Sequence, residues 1–412
     1  MRIAVDGNVK IPLGVFMNIK CLLILTLLVA TLQAASEADL TFALNGNSTE
    51  YIVSDCNQSA SGILDIPSTY AGKPVTSIGN NAFKSCSGLT NITIPSSVTS
   101  IGSNAFQSCS SLTSIAIPNS VTSIGDYVFY NCSGLTDITI PSSVTSIGIQ
   151  AFYACSGLTS ITIPSNVTSI GSSAFYNCSG LTSITIPSGV TSIGSSAFRG
   201  CSSLTSIAIP GSMTSIEDYL FYNCSGLTSI TIPGSVTSIK DFAFQNCSSL
   251  ISITIPNSVN SIGISAFQGC SNLSSITIPS NVTSIGSSVF RSCTSLSSIT
   301  IPYSVSSIGN VAFSGCTYLA SITFEGDAPT FGTNVFSRSD SVTVYYDSSN
   351  SGWSSTVAGR PAVAVSTQIG SYYSTINGQS GSVLKSALNS IIDNHNSLSY
   401  TPGVWDAHKD LY

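Results

Sequence analysis

The chain has 412 residues, only 7% of them charged, and a formal net charge of −6. This composition argues against nucleic-acid binding by the body of the chain, because an acidic surface with few cations has no electrostatic footprint for phosphate backbones. It also excludes intrinsic disorder, because 42% of the residues are hydrophobic and recur on a schedule that can bury a core.

The first segment, residues 1–35, has the pattern of an export signal. Lys20 precedes an apolar run at residues 22–30, and small residues follow at 34 and 35. Such a run suits the hydrophobic region of a signal peptide, whereas a membrane span needs about 20 apolar residues. Translation is expected to start at Met1 or at Met17, which begins a more conventional basic region. We therefore predict a secreted or cell-surface protein without a membrane span.

Residues 36–74 are predicted to form an N-terminal cap. Apolar residues such as Phe42 and Tyr51 indicate one or two strands that shield the following repeats, and Cys56 also lies here. The spacing between Pro67 and the next equivalent proline is 28 residues, which places a five-residue insertion at 70–74.

Residues 75–345 repeat with a period of 23 residues. A fixed period of this size, headed by Leu-x-x-Ile-x-Ile, is typical of a leucine-rich repeat solenoid. We predict about eleven coils whose short strands stack as a parallel β ladder, with caps at both ends and a short helical tail. The repeated pattern of one unit is visible at these positions: Leu158, Ile161, Ile163, Pro164, Val167, Ile170, Gly171, Ala174, Phe175, Cys178.

One coil illustrates the expected path of the backbone. Residues 89–94 alternate apolar and polar side chains, which predicts a short strand with one buried face. Pro95 ends that strand because it has no N–H for the ladder. Gly102 is expected to take a positive φ at the corner. Phe106 then fills the far end of the core and Cys109 closes the coil.

The cysteine of each unit has two interpretations. Export favours disulfides, but equivalent side chains in a parallel stack point the same way, which keeps their Cβ atoms too far apart. We therefore predict buried, reduced thiols that fill the core. Because no His or second Cys lies near any of them, no metal site and no cofactor are predicted. The ladder comprises eleven residues: Cys86, Cys109, Cys132, Cys155, Cys178, Cys201, Cys224, Cys247, Cys270, Cys293, Cys316.

The repeat resembles a known family. Proline after the strand, Ile-Gly, Ala-Phe and the terminal Cys in each unit are similar to the BspA-like surface leucine-rich repeats over residues 75–345. Serine, as at Ser97, stands where leucine-rich repeats usually carry asparagine. The resemblance implies an extracellular or cell-surface protein involved in adhesion and in binding host or matrix proteins.

Candidate binding residues occupy the position after the repeated Phe. At about 4.8 Å per coil they form a stripe about 20 Å long, in which Tyr and Arg are favoured anchors. The stripe either binds a partner, for example by stacking on sugar rings, or only covers this side of the solenoid. We predict a monomer that binds an extracellular protein or glycan. The tyrosine stripe consists of Tyr130, Tyr153, Tyr176, Arg199, Tyr222.

Two other surfaces carry weaker signals. Glu217 and Lys240 replace the corner glycine in adjacent coils, so an ion pair between coils is expected, while a calcium site would need more oxygen ligands. Exposed threonines such as Thr93 and Thr139 give the strand face a nearly uncharged row of hydroxyl groups, which suits a repetitive partner such as a glycan.

Residues 346–365 are predicted to form the C-terminal cap, and residues 366–412 leave the repeat period. Residues 371–410 contain Tyr-Tyr, a helix pattern from Leu384 that ends in Ile-Ile-Asp-Asn-His395, and Val-Trp-Asp-Ala. This string resembles the N-terminal part of the secreted bacterial endonuclease I family, so residues 366–412 are interpreted as the truncated start of such a domain.

That second resemblance implies Mg²⁺-dependent phosphodiester hydrolysis by a longer parent chain. The family's Arg-Glu-His motif lies downstream, and neither His395 nor His408 follows Arg-Glu. No catalytic residue is therefore predicted, and Mg²⁺ is relevant only if a nuclease domain follows. The alternative function is that the solenoid is the targeting arm of a nuclease and is inactive as given.

Overall fold

The computed structural model describes residues 34–365. These residues form a parallel β-solenoid of about 13 turns, which confirms the predicted leucine-rich repeat architecture. The expected helical tail and nearly all of the expected signal peptide lie outside this range. Between residues 34 and 365, no helix has the length and apolarity needed to cross a membrane.

The N-terminal region contains more strands than the one or two predicted. A 3₁₀-helix at Glu37–Asp39 precedes β1, which pairs antiparallel with β2. Strand β2 then pairs in parallel with β5, and a hairpin of β4 and β5 spans the predicted insertion. The bounds are β1 (Leu40–Leu44), β2 (Tyr51–Cys56), β3 (Ser61–Asp65), β4 (Thr69–Tyr70) and β5 (Lys73–Ile78).

The first ladder of the repeats forms the strand face. Ile161 lies opposite Ile184 in the next coil, and the neighbouring serines are also in register. Strand β3 pairs in parallel with β6 and so extends this ladder into the cap. The bounds are β6 (Gly88–Thr93), β8 (Ser114–Ala116), β10 (Asp137–Thr139), β12 (Ser160–Thr162), β14 (Ser183–Thr185), β16 (Ser206–Ala208), β18 (Ser229–Thr231), β20 (Ser252–Ile253), β22 (Ser275–Ile276), β24 (Ser298–Ile301) and β26 (Ser321–Phe324).

A second ladder follows the proline of each coil and contains two-residue strands. Its buried isoleucines, such as Ile147 and Ile170, pair in parallel register. The bounds are β7 (Ser100–Ile101), β9 (Ser123–Ile124), β11 (Ser146–Ile147), β13 (Ser169–Ile170), β15 (Ser192–Ile193), β17 (Ser215–Ile216), β19 (Ser238–Ile239), β21 (Ser261–Ile262), β23 (Ser284–Ile285), β25 (Ser307–Ile308) and β27 (Thr330–Phe331).

The C-terminal region continues the first ladder. Strand β28 (Thr343–Asp347) pairs with β26, and β30 (Arg360–Val365) pairs with β28, both in parallel. The ladder therefore runs beyond residue 345, where the sequence predicts that the repeats end, into the predicted cap. Strand β29 (Thr356–Val357) pairs antiparallel with β30. Trp353 covers this end and lies 5.0 Å from Phe324 between ring centroids.

The corner glycine plays a different role from the one predicted. Gly102 does not have a positive φ; instead, a Cβ added there would lie 2.5 Å from the backbone nitrogen of Asn80 in the preceding coil. Glycine is therefore required for close approach of the backbones. The positive φ angles occur two and six residues later, at Asn104 (59°) and Ser108 (60°).

The last part of each coil is a run of turns, which we call the turn segment. Gln107 N–H bonds to Asn104 within the coil, whereas Phe106 N–H bonds to the Val128 carbonyl of the next coil at 2.9 Å. The buried phenylalanines stack in a column with ring centroids 5.2 to 5.9 Å apart. Cys109 closes the segment and is buried.

Candidate binding surface on the turn segments

The turn segments bring the five residues of the tyrosine stripe into one column. The Phe before each of them is fully buried, so the following side chain lies at the surface. Adjacent coils are held in register by backbone bonds such as Asn131 N–H to the Tyr153 carbonyl, at 2.6 Å, and Asn177 N–H to the Arg199 carbonyl, at 2.7 Å.

The first three tyrosines of the stripe stack on one another. Ring centroids of Tyr130 and Tyr153 are 4.6 Å apart, and those of Tyr153 and Tyr176 are 4.5 Å apart with an interplanar angle of 4°. Burial between its neighbours, chiefly, raises the pKa of the Tyr153 hydroxyl above its ordinary value. Because the ring faces cover each other, mainly edges and hydroxyl groups remain for a partner, and stacking of a sugar between these rings is excluded.

Arg199 takes the place of a tyrosine in the column and is surrounded by rings. Its guanidinium carbon lies 4.4 Å from the ring centroid of Tyr222, 5.2 Å from Tyr176 and 5.3 Å from Tyr219. Cation–π contacts of this kind hold the side chain in place. The two ion pairs of the described residues involve Lys240 and Arg360, so Arg199 has no carboxylate partner there.

Three further aromatic residues adjoin the stripe and were missed by the sequence analysis. Tyr219 and Phe242 stack with ring centroids 4.6 Å apart, and Tyr219 also contacts Tyr222. Tyr127 approaches Tyr130 in the same way. Each of these tyrosines precedes its partner by three residues, a spacing that brings side chains together across a tight turn and could have revealed them.

A polar groove runs beside the stripe, with a volume of about 510 Å³. Gly200 and Gly269 take positive φ angles of 75° and 73°, and a Cβ on Gly200 would lie 2.1 Å from Asn177 Oδ1. These glycines therefore make room for the amide of the preceding coil. The asparagine groove, as we call it, is lined by Asn177, Gly200, Ser202, Asn223, Ser225, Asn246, Ser248 and Gly269.

Most polar side chains of the asparagine groove are available to a ligand. Asn246 Nδ2 donates to Asn223 Oδ1 at 2.9 Å, and the Asn223 amide nitrogen has no acceptor among residues 34–365. The side chains of Asn177, Ser202 and Ser225 make no hydrogen bond within the described part of the chain. The groove contains amides and hydroxyl groups and no charged side chain.

The predicted ion pair between coils is confirmed. Lys240 Nζ lies 2.6 Å from Glu217 Oε2, and this hydrogen bond raises the pKa of Lys240. Asp218 Oδ1 accepts a bond from the Asp241 backbone N–H at 3.0 Å. These acidic groups therefore tie coils together. In residues 34–365, no cluster of His, Cys, Asp or Glu has a geometry suited to a metal ion.

The hydroxyl groups of the strand face partly bond to the backbone. Thr113 Oγ1 donates to the Thr90 carbonyl at 3.0 Å, and Thr136 repeats this bond to Thr113. Thr93 and Thr139 are exposed on the same face.

The eleven ladder cysteines are buried and form no disulfide. Cys56 is likewise buried and free, so all of these thiols belong to the core.

Comparison with known families and proteins identifies relatives of the whole solenoid. The family described as BspA type leucine rich repeat region matches residues 61–179, 145–258, 168–294 and 237–356. No curated protein sequence matches the chain.

Several solved structures share the fold. A leucine-rich repeat protein from Bacteroides ovatus is 30% identical, with a TM-score of 0.62 over 74% of this chain and 93% of its own. A leucine rich cell surface protein from Faecalibacterium prausnitzii is also 30% identical, with a TM-score of 0.50 over 77% of this chain and 95% of its own. The pneumococcal vaccine antigen PcpA, at 20% identity and a TM-score of 0.55, covers 81% of this chain and 98% of its own, and supports the fold alone.

Proposed function

The chain belongs to the BspA-type leucine-rich repeat family, and on that premise we propose that it is a secreted or cell-surface binding module without catalytic activity. Its partner is an extracellular protein or glycan. The export-signal pattern of residues 1–35 supports a location outside the cell. A relative at 30% identity is described as a cell surface protein, which agrees with that location.

The observation that carries the proposal is the local concentration of aromatic residues around Arg199. The position after the repeated Phe holds Gln107 before the stripe and Gln245 and Gln268 after it, although the buried core is the same in these coils. Stability alone does not require tyrosine there, because the coils with glutamine form the same turn segments. Tyr and Arg, by contrast, dominate the energetics of binding sites.

The proposal is tested by comparing two variants of the exported chain on arrays of glycans and matrix proteins. In the first, Tyr130, Tyr153, Tyr176 and Tyr222 are changed to serine. In the second, the equivalent residues Gln107, Gln245 and Gln268 are changed to serine. We expect the tyrosine variant to lose binding and the glutamine variant to keep it. Both variants should retain the circular dichroism spectrum of the parent chain. Equal binding by both would remove the stripe as the contact, and no binding by the parent chain would contradict the proposal.

The alternative function, an inactive N-terminal part of a secreted metal-dependent nuclease, depends on residues 371–410. Those residues lie outside the described range, and the family match ends at residue 356. The comparisons give the endonuclease resemblance no support. We expect no cleavage of plasmid DNA by this chain in the presence of Mg²⁺. An Arg-Glu-His motif in the coding sequence beyond Tyr412 would favour a nuclease parent, and unrelated sequence would leave the binding module.

A further inference from the structure

We propose that Arg199 and the asparagine groove together form a binding site for an anionic polysaccharide, a linear chain of sugars that carries carboxylate or sulfate groups. This inference rests on the proposed function and names the class of its ligand. Arg199 binds the negative group, and the amides and hydroxyl groups of the groove bind the sugar hydroxyls.

The first argument is the unpaired charge. The guanidinium of Arg199 contacts three tyrosine rings and no carboxylate, whereas Lys240 and Arg360 form ion pairs in the same structure. An arginine held by aromatic rings is pre-organised, and its planar N–H donors match carboxylate or sulfate oxygens. Because the protein as a whole is acidic, it repels polyanions elsewhere, so binding must occur at a specific site.

The second argument is the chemistry of the groove. Among the described residues, no protein group hydrogen-bonds to the side chains of Asn177, Ser202 and Ser225 or to the amide nitrogen of Asn223, and none of these groups is charged. Arg199 immediately precedes Gly200, a lining residue of the groove, and its guanidinium lies on the rings of the tyrosine stripe next to the groove. A ligand with many hydroxyl groups and an occasional negative group matches both features.

The length of the groove indicates a polymer. Its lining positions run from Asn177 through three intermediate coils to Gly269. At about 4.8 Å per coil, these positions span roughly 19 Å. Every lining residue of the groove is at least partly exposed, so a linear chain can lie along it. A single sugar would occupy only a part of it.

The nearest acidic groups along the chain do not neutralise the site. Glu217 accepts from Lys240 Nζ, at 2.6 Å, and Asp218 accepts from the backbone N–H of Asp241. Both carboxylates are therefore engaged in contacts between coils. Arg199 keeps its charge available for a ligand, which is the feature that distinguishes it from Lys240.

The experiment measures binding of the full chain to polygalacturonate, which carries carboxylates, and to dextran sulfate, which carries sulfates. Methyl-esterified polygalacturonate and neutral dextran are the matched uncharged polymers. We expect binding to at least one charged polymer and none to the uncharged ones at physiological ionic strength. The charged polymer that binds identifies the group.

Two pairs of variants locate the site. Arg199→Gln should weaken binding at least about tenfold, because a hydrogen-bonded charge pair is lost, whereas Arg291→Gln, at the equivalent position four coils on, should have no effect. Gly200→Asn introduces the residue found at 177 and 223; because its Cβ would lie 2.1 Å from Asn177 Oδ1, it displaces that amide and narrows the groove, so it should also weaken binding. Gly315→Asn, with a similar φ of 76°, is its control outside the groove.

The outcomes separate this inference from the proposed function. If the chain binds proteins or neutral glycans but neither charged polymer, the binding module stands and the anionic ligand is wrong. If a charged polymer binds equally to Arg199→Gln and Arg291→Gln, the ligand class stands and the site is wrong. If the chain binds nothing on any array, both proposals fail.

Discussion

Each cysteine of the ladder donates a hydrogen bond that the sequence does not reveal. Cys201 Sγ lies 3.2 Å from the carbonyl of Phe175, in the preceding coil, and the same bond recurs from Cys109 to Cys316. Cys86 donates instead to the Cys56 carbonyl at 3.7 Å. In the last coil Ser339 takes the cysteine position and donates to the Phe313 carbonyl at 2.7 Å. The position therefore requires a small donor as well as a small volume. Periodicity predicts the burial, but the choice of carbonyl depends on how the coils stack.

We expect Cys201→Ser to be less destabilising than Cys201→Ala. Serine can keep the bond to Phe175, as Ser339 does to Phe313, whereas alanine leaves that carbonyl without the donor at a cost of about 1 kcal/mol. The free energies of unfolding of the two variants, from denaturant titration, provide the check. Equal losses would show that the thiol is only a filler of space.

Backbone strain is concentrated at two positions of each turn segment. At the first of them, Val311 has a φ of 50°, although a β-branched residue is unfavourable in this left-handed region. Other coils place asparagine there, as at Asn104 and Asn334. The sequence hides this strain, because Val311 precedes a normal Ala-Phe pair and appears to be an ordinary apolar residue.

The substitution Val311→Asn should stabilise the protein by about 1 kcal/mol, because asparagine tolerates the left-handed conformation and valine does not. The reverse change, Asn334→Val, at the equivalent position of the next coil with a φ of 55°, should destabilise it by a similar amount. Both values can be measured from denaturation midpoints at constant m-value. If neither Val311→Asn nor Asn334→Val stabilised the protein, or if both did, the proposed strain at this position would be wrong.

At the scale of the coil, the sequence predicts the elements and buried positions that recur in every repeat. The strand, the proline after it and the buried Leu, Phe and Cys recur every 23 residues, so their positions are read directly. Strand β30 lacks the repeat, and the five-residue insertion after β3 breaks the period although Ile66-Pro67 matches Ile94-Pro95, so neither strand is predicted to belong to the ladder. The predicted positive φ of Gly102 was wrong, because the sequence does not distinguish a glycine needed for close backbone approach from one needed for a positive φ. Tyr219 and Phe242 are not evident from the sequence, because they lie three residues before the position of the stripe and most other coils carry small or polar residues there.

The C-terminal cap provides a test at this scale. Trp353 stacks on Tyr346 at 4.7 Å, contacts Phe324, and its Nε1–H donates to the Gly326 carbonyl at 3.2 Å. Trp353→Ala should cost about 3 kcal/mol in the stability of the last coils. Since each coil contacts only its neighbours, faster amide exchange is expected in β28 and β30 and not in β12 and β14.

A matched control for Trp353 is available on the surface of the same region. Tyr318 is 73% exposed, so Tyr318→Ala should leave both the stability and the amide exchange of β28 and β30 nearly unchanged. If Trp353→Ala instead accelerated exchange equally in β12 and β14, the solenoid would unfold as one unit, and the cap would not act locally.

At the scale of the whole molecule, the buried thiols lower the free energy of unfolding as the pH rises above about 9. Burial raises the pKa of Cys178, Cys224 and Cys270 from 9.0 to about 12. Below pH 9 the thiols are protonated in both the folded and the unfolded chain, so their contribution to stability is complete. Between about pH 9 and 12 the unfolded chain loses these protons and the folded chain keeps them, so stability falls as pH rises.

The repetition multiplies this effect, because every coil of the ladder that unfolds exposes a buried thiol. Each thiol contributes a slope of up to about 1.4 kcal/mol per pH unit above its unfolded pKa, so we expect cooperative unfolding shortly above pH 9 in the presence of a reductant. Changing Cys178, Cys224 and Cys270 to serine should reduce the dependence of the unfolding free energy on pH by the contribution of three thiols, each up to about 1.4 kcal/mol per pH unit. Denaturation midpoints of the parent and the triple variant, measured at successive pH values, provide this comparison. An unchanged slope in the triple variant would assign the alkaline transition to tyrosines or other groups, since those are the same in both proteins.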